Sequence, residues 1–248
     1  MIRLYCQTDL RSDAEVALPS DISHYLAHVM RQGVGDEVQL FNGRDGEWVA
    51  DITAITKKAV ALRPRQQTRP QPSLTPLHLY QAVIKRPRLE TIAEKATELG
   101  VSDLHLVQTD YTQNAKMKLD RLKRITIEAA EQTGRLDLPR VHGVQRLSAL
   151  ALEHDLVVFC DEAGGTDIIE ALQTWCSSGR SPGTKAESAN LALVIGPEGG
   201  FSPTERAQLR ALPQTLAVSL GPRILRADTA AIAALSIIQA TLGDWPQS

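Results

Sequence analysis

The stretch LVIGPEGGFSPTE, residues 193–205, decides the fold. It reads in order as a buried strand, a glycine turn and a capped helix. The apolar run at 191–195 has the composition of a parallel strand covered on both faces. Gly196, Gly199 and Gly200 allow a sharp turn and leave backbone amides facing a ligand. Ser202 is placed to cap the next helix, Pro203 suits its first position, and Glu205 completes a capping box. In open α/β sheets, ligands bind beyond the carboxyl ends of the strands, which is where this turn falls. It is not a phosphate loop. It lacks the Lys-Ser/Thr of a P-loop and the spacing of a dinucleotide fingerprint, and Glu198 would repel a phosphate.

A second turn of the same design follows in SLGPRILRADTA, residues 219–230. TLAVSL is a strand, Gly221-Pro222 breaks it, and RILRADTA leads into an apolar helix from about residue 228 to 242. Two strand ends this close in sequence can line one pocket for a small polar ligand. Arg223 and Arg226 flank Ile224 and Leu225, which sets two cations beside an apolar wall. One arginine alone is an ordinary surface charge; two within four residues at a strand end favour a site.

Upstream, strands and helices alternate. LHLYQAVI, DLHLVQT and DLVVFC read as strands. Helices are expected from Pro87 to a stop at Gly100, across RLKRITIEAAEQTGR, and from about 166 to 175. SSGRSPGTKAESAN, 177–190, reads as a polar loop. Such alternation predicts a parallel sheet with helices on both faces. Residues 62–76, with four prolines, read as an extended linker. Before them, Asn42-Gly43 and Asp45-Gly46 sit between β-rich runs as hairpin signals, and one short helix is expected around SDISHYLAHVMR. The chain is therefore expected to hold a β-rich domain over 1–70 and an α/β domain over 74–248.

The bulk composition narrows the function. The net charge of −2 in 248 residues argues against bulk polyanion binding, so local basic runs must carry any contact with nucleic acid. Cys6, Cys160 and Cys176 follow no zinc or disulfide spacing, which points to a reducing compartment and no structural metal. The N-terminus lacks the apolar core of a signal peptide, and the most apolar segment, TAAIAALSIIQATLG, is too short to span a membrane. The expected location is the cytosol.

Four segments in order, ELGV, EAAEQTGR, LVIGPEGGFSPTE and LGPRILRADTA, resemble the RsmE family. HYLAHVMRQGVGDEVQLFNGRDGEW, 24–48, is similar to that family's PUA-like β-barrel domain. The resemblance implies a C-terminal trefoil-knotted SPOUT methyltransferase domain and a homodimer. It also implies methylation of N3 of a uridine in 16S ribosomal RNA, with S-adenosylmethionine as cofactor. Carried over by residue, the cofactor pocket would hold Gly196, Glu198, Gly199, Gly200, Leu220, Gly221, Ile224 and Leu225. Catalysis would fall to Arg226 or Arg223 as donors to the ring oxygens, and to Asp228 or Glu198 as proton acceptor. Two positions depart from the family pattern: Asp228 stands where a Glu is usual, and Tyr111-Thr112 where many members carry Arg-Ser.

Other candidates are weaker. Glu128, Glu131, Gln132 and Arg135 share one face of a helix, as a solvated face would, although the segment matches a family motif. His24 and His28 lie one turn apart with no third ligand nearby, so packing or RNA-facing roles are favoured over zinc. Lys85, Arg86 and Arg88 suit either RNA phosphate or solvent. Two rival functions stay open: a non-catalytic RNA- or ribosome-binding protein, which has no reason to hold S-adenosylmethionine, and a knotted methyltransferase acting on another RNA.

Overall fold

The computed structural model describes residues 1–12, 14–56, 59–73, 75–112, 117–178 and 189–245. It forms two compact units, Met1–Ser73 with Ala130–Leu138, and Leu74–Ala129 with Pro139–Ser248. Most of the expected polar loop at 177–190 lies outside the described residues.

The first unit is a curled mixed sheet. Its strands are β1 (Ile2–Tyr5), β2 (Val16–Ala17), β3 (Glu37–Phe41), β4 (Glu47–Ile55) and β5 (Val60–Arg69), with α1 (Ser20–His24) running into a π turn at Tyr25–Val29. The order β1-β3-β4-β5-β2 leaves β1 and β2 at the edges, so it is a half-barrel. Both hairpin dipeptides fall in the one β3–β4 turn. There Asn42 accepts from the amides of Arg44 and Asp45, and Gly43 and Gly46 take positive φ.

The linker expected at 62–76 is corrected, because β5 continues through it to Arg69. Pro64 is tolerated opposite Ala50, next to a register shift where the ladder is already irregular. The strand is anchored by Thr68 and Arg69, both bonded to the buried carboxylate of Glu47. Glu47 also takes Arg3 Nε at 2.9 Å. Arg3 in turn donates to the carbonyls of Ala130, Glu131 and Arg135, and Arg69 to that of Gly134. Two cations therefore satisfy carbonyls at the end of a helix, where its dipole is negative.

The second unit is a seven-stranded, all-parallel sheet. Its strands are β6 (Leu77–Ala82), β7 (Asp103–Gln108), β8 (Arg140–Arg146), β9 (Leu156–Cys160), β10 (Thr166–Asp167), β11 (Leu191–Ile195) and β12 (Thr215–Ser219), in the order β10-β12-β9-β11-β6-β7-β8. The helices are α2 (Arg86–Glu98), α3 (Leu119–Thr133), α4 (Ile168–Ser177), α5 (Pro203–Ala211) and α6 (Ala227–Thr241). Gly100 ends α2 in the left-handed region at φ 78°, as its sequence position implied. A side chain there would also strike Gln239, whose Nε2 donates to Leu99 O at 2.7 Å. That bond explains how a polar residue is buried on α6 along with Leu235 and Ile238, each worth about 1.5–3 kcal/mol when fully buried. α6 is not covered all round: Ile232, Ala233 and Ile237 are only half-buried.

Candidate active site

Three neighbouring strands, β11, β9 and β12, end side by side, and the turns leaving them enclose a cleft of about 280 Å³. Its wall comes from 160–162, 195–200 and 218–225, with Ala227 and Ala230 of α6 closing one side. All eight residues expected to hold a cofactor line it: Gly196, Glu198, Gly199, Gly200, Leu220, Gly221, Ile224 and Leu225. Arg223 lines it as well. Arg226 is exposed and caps the start of α6 beside this wall, and Asp228 lies in the first turn of that helix.

The glycines have different reasons to be glycine. A Cβ on Gly196 would come within 2.6 Å of the Phe201 ring, and Gly200 at φ 72° would drive one into the Glu162 carboxylate. Those two are required by the fold itself. A Cβ on Gly199 would meet only the Tyr111 side chain, at 3.4 Å, an ordinary contact, so the fold does not demand glycine there. Gly221, at φ 100°, has open space around it. The capping box forms as read: Ser202 Oγ accepts Glu205 N, and Glu205 Oε2 accepts Ser202 N at 3.0 Å. Tyr111 and Thr112 belong to a loop fastened to this cap. Asp110 N donates to Glu205 Oε1 at 2.9 Å, and Ser202 Oγ donates to Asp110 Oδ2 at 2.6 Å.

Carboxylates dominate the floor. Glu198 pairs with Arg88 Nη1 at 3.0 Å, so one member of the basic trio at 85–88 serves the turn; Arg86 is paired with Glu90. The turn after β9 escaped the reading of the sequence. It carries Asp161, whose side chain is fully buried and gripped by Arg206 and Arg210 from α5. Burial works to raise the Asp161 pKa, but bonds from Ala163 N, Arg210 and Arg206 outweigh it and hold it below the usual carboxylate range. Glu162 accepts from Phe201 N and pairs with Arg206. A carboxylate pair and two glycines directly after the apolar run LVVFC are the signal that could have revealed this turn. Cys160 is no nucleophile, because burial pushes its thiol up to about 12.

Asp228 is distinctive in another way. Its Oδ1 is buried with no hydrogen-bond partner among the described residues. Such an atom is costly unless a ligand or proton completes it. Ile224 lines the cleft mouth yet is 90% exposed, so the expected apolar wall is bare within a single chain. Glu128, Glu131, Gln132 and Arg135 are not among the residues that line the cleft. α3 stops at Thr133, so Arg135 is off the helix and bound to Asp137, while Glu131 accepts Tyr5 N.

Residues 70–239 match the RNA methyltransferase domain family, and residues 18–65 match the RNA methyltransferase PUA domain. The chain is 30% identical over 96% of its length to the ribosomal RNA small subunit methyltransferase E of Rickettsia conorii, covering 94% of that protein. It is 32% identical over 87% of its length to the Bacillus subtilis protein of the same name, covering 86% of it. Among solved structures, a methyltransferase from Legionella pneumophila in complex with S-adenosylmethionine superposes with TM-score 0.82, at 30% identity and 98% coverage of both chains. The Neisseria gonorrhoeae ribosomal RNA small subunit methyltransferase E bound to S-adenosylmethionine gives 0.81, at 25% identity and 99% coverage of both. The chain belongs to the RsmE family of RNA methyltransferases. Its architecture is that of the SPOUT methyltransferases with a PUA-like domain.

Proposed function

We propose that this protein methylates N3 of a uridine in 16S ribosomal RNA, holding S-adenosylmethionine in the cleft between the turns after β9, β11 and β12. The observation that carries the reading is the convergence on one cleft of every residue expected to bind the cofactor. The cradle fits such a ligand. The turns present backbone groups for an adenosine, and Glu198 supplies negative charge suited to a sulfonium.

S-adenosylmethionine, when bound, supplies a methyl group on a positively charged sulfur. The chain must then orient the uracil in line with that methyl and remove the N3 proton. Asp228, whose Oδ1 is buried without a hydrogen-bond partner among the described residues, would serve as the proton acceptor. Glu198 is the weaker choice, since Arg88 already holds its carboxylate. Arg223, which lines the cleft, and Arg226, at the start of α6, would be the donors to the uracil oxygens, where negative charge grows as the proton leaves. N3 lies on the pairing edge, so the target base must be unpaired or turned out of its helix.

Residues 1–70 position the RNA in this scheme, and 74–248 carry cofactor and chemistry. The enzyme works as a cytoplasmic homodimer, a partner covering apolar surface such as Ile224. Among the described residues no helix is long and apolar enough to cross a membrane. The direct test incubates purified protein and cofactor with small subunits and with deproteinised 16S RNA, then digests to nucleosides. N3-methyluridine should appear in one of the two. Methylation at another position, or of neither substrate, would overturn the proposal.

A further inference from the structure

Four of the six histidines, scattered through the sequence, meet on the sheet of the second unit. Parallel register puts His78 beside Asp103 and Asp103 beside Arg140; two residues on, it aligns Tyr80, His105 and His142. The latter three rings stack, at 4.3 Å for Tyr80–His105 and 4.1 Å for His105–His142. The fourth, His154, is committed to Tyr80 Oη at 2.9 Å and Asn190 Oδ1 at 3.0 Å. That leaves His78 Nδ1 facing His105 Nε2 at 3.1 Å, with Asp103 Oδ2 3.8 Å from His78 Nδ1. The donor atoms of the three residues all lie within 4.8 Å of one another.

We propose that His78, Asp103 and His105 bind one divalent transition-metal ion of the zinc class, with a fourth position left to water. Two imidazoles and a carboxylate are a donor set that zinc accepts, and bonds of about 2.0–2.1 Å in a tetrahedron set neighbouring donors about 3.3 Å apart. The 3.1 Å and 3.8 Å separations bracket that spacing, and the three donors as a set lie within 4.8 Å, so the widest pair draws together as the ion binds. Without an ion, one ring donates a proton to the other; the metal takes that proton's place. A second-shell partner exists already: His142 Nε2 sits 2.7 Å from Asp103 Oδ1 and steadies the carboxylate. Arg140 opposes the cation and must release the ligand oxygen, because its Nη2 donates to Asp103 Oδ2 at 2.8 Å. His78 and Asp103 lie at the starts of their strands, whereas the cleft lies beyond strand ends, so the ion clamps β6 to β7 and takes no part in methyl transfer.

The test uses the full-length protein after treatment with a chelator, titrated with zinc chloride by calorimetry and with cobalt(II) by visible absorption. One ion per chain is expected, with the intense bands of tetrahedral cobalt. His78→Ala and His105→Ala should each weaken zinc by roughly 100-fold or more, since losing even a second-shell partner costs 10–100-fold. His24→Ala, in the other histidine pair, should change nothing, and Arg140→Gln should tighten binding. His78→Asn covers the case in which an alanine variant fails to fold. No saturable binding by the wild-type protein, or binding that survives the His78 and His105 changes, overturns the proposal.

Discussion

Arg88, at the start of α2, donates from Nη1 to Glu198 Oε1 at 3.0 Å, tying a helix start to the middle of the first glycine turn. This bond fixes where the carboxylate points while leaving it partly open to solvent. The turn can therefore present negative charge to a cationic ligand, a role closed to a phosphate loop. Glu198→Gln should weaken S-adenosylmethionine a few-fold, the ~1 kcal/mol of a solvent-screened charge pair. It should leave S-adenosylhomocysteine, which lacks the sulfonium charge, nearly untouched. Calorimetry with both ligands checks this; equal losses would mean that Glu198 acts by shape and not by charge.

Gly199 lines the cleft and, unlike Gly196 and Gly200, has room for a Cβ in ordinary contact with Tyr111, so it separates ligand binding from folding. Gly199→Val should keep a near-normal melting temperature and lose S-adenosylmethionine binding. Gly200→Val should misfold, because it combines positive φ with a clash against Glu162. A folded Gly199→Val variant that binds the cofactor with unchanged affinity would remove this turn from the pocket.

Arg226 and Asp228 should act on the chemical step. Arg226→Ala should slow single-turnover methylation by roughly 10²–10³-fold, as loss of one oxyanion donor does, with cofactor affinity preserved. Arg226→Lys should recover little, because a point charge cannot replace the planar fork. Asp228→Asn should slow the same step by roughly 10²–10⁴-fold, the usual range for a general base. If Arg226→Ala loses only RNA affinity, Arg226 is a docking residue and Arg223 takes its place.

Glu47 supplies the pH dependence of the first unit. Burial works to raise its pKa, yet bonds from Arg69, Arg3 and Thr68 prevail and hold it at about 2. In the unfolded chain it titrates near roughly 4.3. The stabilisation is thus fully present above that value and is lost as pH falls toward 2. Thermal melts should show Glu47→Gln well below the wild type at neutral pH, with the gap narrowing toward pH ~3. A gap independent of pH would mean that the carboxylate's charge contributes nothing there.

What the sequence revealed follows from where each signal resides. Gly196 to Glu205 and Gly221-Pro222 announce their turns because glycine, proline and capping residues act on the local backbone. β8 went unread because RVHGVQR is a polar edge strand without an apolar run. The prolines of 62–76 mimicked a linker, since composition does not show that Thr68 and Arg69 are pinned by Glu47 across the sheet. Arg135 was placed on a helix face because the period continues in sequence, but Gly134 at φ 78° ends the helix before it. The histidine cluster arises only from strand register, which no spacing along the chain encodes.

The most direct measurement is mass mapping of 16S ribosomal RNA from a strain deleted for this protein and complemented with wild-type or Gly199→Val copies. The account predicts one N3-methyluridine missing in the deletion, restored by the wild type and not by the variant. A modification that persists in the deletion strain, or a loss at some other nucleotide or RNA, would contradict it.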